Sequence, residues 1–309
     1  MSLILITGGK GFIGRHAALH LSRRGSTIVG VGHGTWSEAK AWGVSMWLNG
    51  DIEAPNLDVV AAQAGIPDAV IHLAGGSTVG ASIQSPLEDF GRTAGSTARL
   101  LEWMRTRAPQ AALVGVSSAA VYGSGHERPI PETAPLRPFS PYGVHKAILE
   151  QLCQSYSTNF GMRVSILRLF SVFGAGLTKQ LLWDLCCRLQ SNSRVVLGGS
   201  GRETRDWIHV DDTARLIEVA ITAASTDCPV FNGGTGYGRT TRDIAAAVAD
   251  TWTGAANVEF SGQARQGDPS YLVADMNKSR TFLSFDPVVG VQEGIARYVQ
   301  WFRSGEWAP

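Results

Sequence analysis

Leu3-Ile4-Leu5-Ile6 runs without a polar residue into Thr7-Gly8-Gly9-Lys10-Gly11-Phe12-Ile13-Gly14, and this junction limits the possible folds more than any other stretch of the chain. An apolar run of strand length that ends in glycines and passes into helix-patterned sequence is a strand turning sharply into a helix. The same alternation recurs. Residues 27–31, 69–73, 112–116 and 164–170 are further apolar runs, and residues 12–24, 86–107 and 142–160 carry helical patterning. Continuous apolar runs suit strands buried on both faces, so the expected fold is α/β, a parallel sheet covered by helices. In the third helix Ile148, Leu152 and Tyr156 recur every four residues and are expected to form its buried stripe.

After residue 170 the pattern changes to a helix at 179–189, a short strand at 194–197, a glycine turn at 198–201 and a helix at 211–224. Asp211 and Asp212 lead the last of these, where acidic groups suit the positive pole of the helix dipole. No repeat and no low-complexity linker separates the halves. Residues 1–170 are expected to form the sheet domain, and 171–309 a smaller lobe with segments returning to the sheet.

With 309 residues, 44% hydrophobic and 17% charged, the chain can bury a full core. A formal net charge of +1 with scattered Lys and Arg offers no basic stripe for nucleic acid. No apolar run approaches the ~18 residues that span a bilayer, and the apolar start lacks the basic flank of a signal peptide. Cys153, Cys186, Cys187 and Cys228 show neither metal-site spacing nor a disulfide framework. Free thiols, no bound metal and a cytoplasmic setting are therefore expected. Cys186 and Cys187, adjacent on a helix, would point to different faces.

Gly8, Gly11 and Gly14, with Phe12 and Ile13 between them, follow a strand and open a helix, the context of a dinucleotide site. The bare backbone lets a pyrophosphate approach, and free N–H groups and the helix dipole favour the anion. A NAD-selective site normally carries Asp or Glu at the end of the second strand to bind the adenosine ribose. Here that strand ends Val31-Gly32-His33-Gly34, with no acidic residue between Gly14 and Glu38. Loss of the carboxylate removes repulsion against a 2′-phosphate, which His33 or Arg15 would contact, so NADP is slightly favoured over NAD. Asp51, followed by Ile52, would accept from the adenine amino group or cap a turn.

Tyr142 and Lys146 stand one helical turn apart and can face one pocket. A phenol with an ordinary pKa near ~10 is a poor base at neutral pH. A nearby ammonium and the charge of oxidised nicotinamide are expected to favour phenolate. Lys146 could also hold the nicotinamide ribose, and Ser118 could donate to a substrate oxygen. Taken singly, Tyr142 could be a packing residue, Lys146 a surface charge and Ser118 a strand end. Their order after a glycine turn points instead to hydride transfer at a carbon bearing oxygen.

To these stretches are added Ile71-His72-Leu73-Ala74, Ser117-Ser118-Ala119-Ala120-Val121-Tyr122-Gly123 and Ser140-Pro141-Tyr142-Gly143-Val144-His145-Lys146. Further along come Leu167-Arg168-Leu169-Phe170-Ser171-Val172-Phe173-Gly174, Thr204-Arg205-Asp206-Trp207-Ile208-His209-Val210-Asp211-Asp212 and Arg265-Gln266-Gly267-Asp268. Over almost its whole length the chain resembles the extended short-chain dehydrogenase/reductases, in their nucleotide-sugar epimerase/dehydratase branch. The resemblance implies a Rossmann doubly wound parallel sheet with a smaller C-terminal substrate-binding lobe. It implies catalytic roles for Ser118, Tyr142 and Lys146, with Leu73, Ala74 and Gly75 beneath the cofactor. Arg205 and Arg265 would hold the diphosphate of a nucleotide-diphosphate sugar, with Ser171 beside the substrate. A homodimer through the two long helices is implied as well.

Departures from the family pattern narrow the reaction. Dehydratases of this branch usually place Asp-Glu directly after the catalytic Ser or Thr, because eliminating water needs another acid and base. Ala119 and Ala120 stand there and transfer no proton, so dehydration is not expected. Ser171 and Thr93 occupy positions where Asn is usual, and Phe173 one where Tyr is common. Two reactions at C4 of the sugar remain. A 4-keto sugar reductase would take hydride from NADPH while Tyr142 supplies the proton. A 4-epimerase would oxidise the alcohol, let the keto sugar turn, and return hydride to its other face. The missing ribose carboxylate and Ser171 favour reduction, with 4-epimerisation as the alternative. Reduction of a non-sugar carbonyl would leave Arg205 and Arg265 without a task. A dinucleotide-sensing protein without chemistry would be expected to lose Tyr142 or Lys146.

Overall fold

The computed structural model describes residues 2–76, 78–192, 194–252, 256–263 and 269–305. The first half runs β1 (Leu3–Thr7), α1 (Phe12–Arg23), β2 (Thr27–Gly32), β3 (Val44–Asn49), α2 (Ala54–Ala64), β4 (Ala69–His72), α3 (Val79–Gln84) and α4 (Pro86–Phe90). Then come α5 (Ser96–Arg107), β5 (Ala112–Ser118), α6 (Pro141–Phe160) and β6 (Val164–Leu169). The remainder contributes β7 (Ser171–Phe173), α7 (Gln180–Ser191), β8 (Arg194–Leu197), β9 (Thr204–His209), α8 (Val210–Ala223) and β10 (Val230–Gly233). It closes with β11 (Gly238–Thr240), α9 (Thr241–Trp252), β12 (Asn257–Phe260), β13 (Tyr271–Leu272), α10 (Asn277–Leu283) and α11 (Val291–Ser304).

Seven strands form one sheet in the order β3-β2-β1-β4-β5-β6-β10, with every neighbouring pair parallel. This is the expected doubly wound α/β sheet. Alternation along β1 sends its side chains to opposite faces. Ile4 and Ile6 meet Ala17 and Ala18 of α1 and Ile217 of α8, while Leu5 joins Leu100, Leu101 and Leu149 of α5 and α6 on the other side. Each such aliphatic side chain contributes roughly 1.5–3 kcal/mol when fully buried. The strand order reverses between β1 and β4, and crevices at such a switch point are where α/β sheets bind ligands.

Two helices differ from expectation. On α6 the buried stripe is Lys146, Leu149, Glu150, Cys153 and Ser157, while Ile148, Leu152 and Tyr156 lie half-buried at its flank. Polar side chains displaced the stripe because Lys146 and Glu150 find buried partners that a four-residue apolar period does not reveal. The stretch expected as one helix over 86–107 is α4 and α5 joined by a π-helical turn at Gly91–Gly95. Two glycines weaken the α-helical path there, and the Ser96 and Thr97 hydroxyls donate back to the carbonyls of Arg92 and Thr93, at 2.5 and 2.6 Å.

The second sheet centres on β9, flanked by β11 and β13 and also paired with β7. Its core gathers Leu182 and Leu185 of α7, Ile244 and Val248 of α9, and Ile295 and Phe302 of α11. Asp206, fully buried on β9, ties this lobe to the end of β10 by accepting from the N–H groups of Thr235, Gly236 and Ala274. All four cysteines are free, with Cys186 buried and Cys187 half-buried. Among the described residues no helix is long and apolar enough to cross a membrane.

Candidate active site

A cavity of about 970 Å³ opens along the C-terminal ends of the strands, at the switch point. Gly8, Gly11, Phe12, Ile13 and Gly14 line it from the turn after β1, and Leu73, Ala74 and Gly75 from the loop after β4. Ser118, Tyr142 and Lys146 lie on its wall, with Ser171 and Arg205 toward the second lobe and His33, Asp51 and Ile52 at the opposite end. Arg265 lies outside the described residues. Two glycines show why the turn admits no side chain. Gly8 has a φ of +70°, and a Cβ there would stand 2.9 Å from the Ala74 nitrogen. A Cβ on Gly14 would stand 2.5 Å from the Gly8 carbonyl oxygen. The resulting cradle of bare backbone fits a pyrophosphate.

Tyr142 owes its place to the start of α6. Ser140 caps the helix by accepting from Gly143 N–H at 3.2 Å, and Pro141 occupies the first turn, where its missing donor costs nothing. The Tyr142 N–H donates to the Ser82 hydroxyl at 3.0 Å, and the Ser118 hydroxyl, which accepts from the Ala120 N–H at 3.2 Å, acts on the phenol to lower its pKa. One turn on, Lys146 donates from Nζ to the Val116 carbonyl at 2.8 Å. Burial pushes this amine down to about 8, against the opposing pull of Asp89 and Glu150.

The phenol departs from expectation. Burial raises the Tyr142 pKa above its ordinary value, Asp89 adds to the rise, and the Ser118 hydrogen bond only partly offsets it. On the neighbouring strand His72 is pushed down to about 3 by burial and by Lys146, so its imidazole is neutral. It links β1, β4 and α5 through Thr7 and Thr97, at 2.7 and 2.9 Å.

At the opposite end the expected gap in negative charge is filled through space. His33 Nε2 lies 2.6 Å from an Asp51 carboxylate oxygen, although Asp51 follows β3 rather than β2. Arg15, expected near a 2′-phosphate, donates instead to the Lys10 carbonyl at 2.9 Å and stacks its guanidinium over Trp42. It does not line the cavity.

Other lining residues escaped the sequence reading. Lys10 sits within the glycine turn, its Nζ only 2.9 Å from where a Gly34 Cβ would lie. Lys179 and Gln180 bring the start of α7 to the cavity, and burial lowers the Lys179 amine. A lone lysine before a helix carries no sequence signal for such a place. Thr93, where Asn is usual, accepts from the Gly76 N–H at 2.8 Å and so holds the loop after β4.

Comparison with known proteins agrees with this architecture. A family model described as the NAD dependent epimerase/dehydratase family matches residues 4–234. A UDP-glucose 4-epimerase of Lactobacillus helveticus is 30% identical, covering 97% of this chain and 97% of the relative. Among solved structures, a UDP-glucose 4-epimerase of Thermotoga maritima with UDP-glucose superposes with a TM-score of 0.89 at 26% identity, covering 98% of this chain and 99% of that one. The dTDP-glucose 4,6-dehydratase of Streptomyces venezuelae, solved with NAD, gives 0.88 at 26% identity, covering 99% of both chains. With a glycine cradle at the switch point of a doubly wound sheet, and a match through most of its length, the chain belongs to the NAD-dependent epimerase/dehydratase family.

Proposed function

We propose that this protein is an NAD-dependent nucleotide-sugar 4-epimerase. The observation that carries the reading is the content of the catalytic wall: Ser118, Tyr142 and Lys146 line the cavity, while Ala119 and Ala120, which line it too, offer no acid or base. That set suits moving a proton and a hydride at one carbon, and lacks the extra groups that water elimination needs. Similarity to enzymes named as UDP-glucose 4-epimerases supports the choice of reaction. The sequence expectation of NADP draws on a missing ribose carboxylate, and that of reduction on the same gap and on Ser171. Asp51 beside His33 supplies a carboxylate at that end of the cavity, which favours a ribose hydroxyl over a 2′-phosphate.

In this reading residues 1–170 hold the cofactor, and residues 171–309 mainly hold the sugar nucleotide. The glycine turn would hold NAD, which would supply the hydride acceptor and donor for C4. Tyr142 takes the C4 hydroxyl proton and later returns it, and Ser118 donates to the same oxygen. Lys146 holds the ribose on the nicotinamide side. Arg205 and Lys179 face the diphosphate, for which fixed cationic donors are suited. A homodimer through α5 and α6 belongs to the same reading. Reduction of a 4-keto sugar is the second reading, in which the protonated Tyr142 phenol would supply the proton to the carbonyl oxygen.

The test is incubation with UDP-glucose and with a 4-keto-6-deoxy sugar nucleotide, with and without NADPH, following reduced nicotinamide and product identity. Interconversion at C4 without net cofactor consumption is expected. Stoichiometric loss of NADPH with the keto sugar, and no interconversion, would select the reductase.

A further inference from the structure

Between Tyr142 and Lys146, α6 carries a second ionisable side chain, His145. Its Nδ1 lies 2.5 Å from Asp89 Oδ2, and the two side chains are only 11% and 5% exposed. An ionised carboxylate only accepts, so the imidazole donates here and its tautomer is set. The Phe90 ring stands edge-on to the imidazole at 5.4 Å. On its other side the carboxylate presses on the loop after β4: a Cβ on Gly76 would fall 1.7 Å from Asp89 Oδ1. A Cβ on the preceding residue, Gly75, would lie 3.4 Å from the Lys146 amine. Asp89 is thus wedged between the catalytic helix and the loop that borders the cavity.

The other charged groups near Lys146 are already engaged. Glu150 on α6 binds Arg168 of β6 at 2.7 Å and accepts from Ser117. Glu88 and Arg92 pair with each other at the surface. His72 of β4 is neutral, and Cys153 of α6 is a buried thiol held above its usual range. Asp89 is the carboxylate whose charge acts on both Tyr142 and Lys146.

We propose that Asp89 and His145 are a positioning pair for the Tyr142–Lys146 chemistry, locking the Gly75–Gly76 loop to α6 and holding one carboxylate's charge beside both side chains. Neither residue touches the reacting atoms; they act through Lys146 and Tyr142. The inference rests on the reading that Tyr142 and Lys146 are the reacting pair. Its test reads the lysine directly rather than through turnover.

Protein carrying ¹³C at the lysine ε-carbon is titrated by NMR. The Lys146 resonance is assigned by its loss in Lys146→Met, with Lys10, Lys40, Lys179 and Lys278 as internal references. In Asp89→Asn, Lys146 is expected to titrate about one pH unit lower than in the parent, since a nearby opposite charge has been removed. In His145→Asn, whose amide nitrogen takes the place of Nδ1 and still donates to Asp89, it titrates as in the parent. The same displacement in both variants, or none in Asp89→Asn, overturns the proposal. A parent that titrates as expected but interconverts no sugar overturns the epimerase reading alone.

Discussion

One His–Asp pair stands on the rim of the cavity and another is buried behind its wall, and the two differ in almost everything except chemistry. His145 and Asp89 meet at 2.5 Å in the interior, 11% and 5% exposed. His33 and Asp51 meet at 2.6 Å on the rim, 58% and 64% exposed. Water screens the outer pair, and exposed ion pairs of this kind contribute roughly 0–1 kcal/mol. The inner pair is desolvated, so each member depends on the other and breaking it is costly. Near-equal distances therefore give different settings: a rigid, desolvated one beside Tyr142 and Lys146, and an adaptable polar edge at the rim, which in the proposed reading is where an adenosine would lie.

The contrast can be broken most forcefully at the reacting end. Tyr142→Phe is expected to lower turnover by about 10³-fold, within the range of a lost acid–base group, while NAD affinity stays close to that of the parent. Paired turnover and cofactor-binding measurements check this, and full activity in the variant would remove Tyr142 from the mechanism.

Stability separates the two pairs next. Asp89→Ala leaves an imidazole without its buried partner and is expected to cost roughly 3 kcal/mol, whereas Asp51→Ala should cost under ~1 kcal/mol. Urea unfolding of both variants reads the difference; equal losses would mean that burial does not distinguish them.

Lys146 supplies a pH test of the inner end. Its native pKa of about 8 lies below the ordinary 10.5, so between these values the unfolded chain binds the extra proton and stability rises with pH. Lys146→Met is expected to be more stable than the parent at pH 7, by on the order of 3 kcal/mol at 1.36 kcal/mol per pH unit. That lead should narrow as pH climbs through the window. A constant difference would contradict a desolvated ammonium.

The smallest effect belongs to the rim. Asp51→Asn is expected to weaken NAD binding by about tenfold, the size of one charge-assisted hydrogen bond, and to improve NADP relative to NAD. Unchanged discrimination would separate Asp51 from the ribose.

Where sequence reasoning succeeded, the signal lay between near neighbours. An apolar strand, three glycines and an amphipathic helix name β1, its turn and α1, because backbone sterics act over a few residues. Tyr142 and Lys146 were legible for the same reason, being one helical turn apart. Patterning misjudged α6, where Lys146 and Glu150 took the buried stripe from Ile148, Leu152 and Tyr156. It also overlooked helices such as α9 and α11, which bury their apolar faces in the core of the second lobe.

Side chains brought together by the fold left no such trace. Asp89 and His145 are 56 positions apart, and His33 and Asp51 are 18 apart. Neither pairing follows from helical or strand spacing; the first exists because α4 packs on α6, the second because the parallel strands β2 and β3 deliver their following loops to the same edge of the sheet. The amino-acid order determined the doubly wound architecture and the placing of Tyr142 and Lys146 one turn apart on the same wall, since both rest on local conformation. Tertiary packing alone decided their protonation and their neighbours, since burial and through-space charge depend on which distant segments close over them.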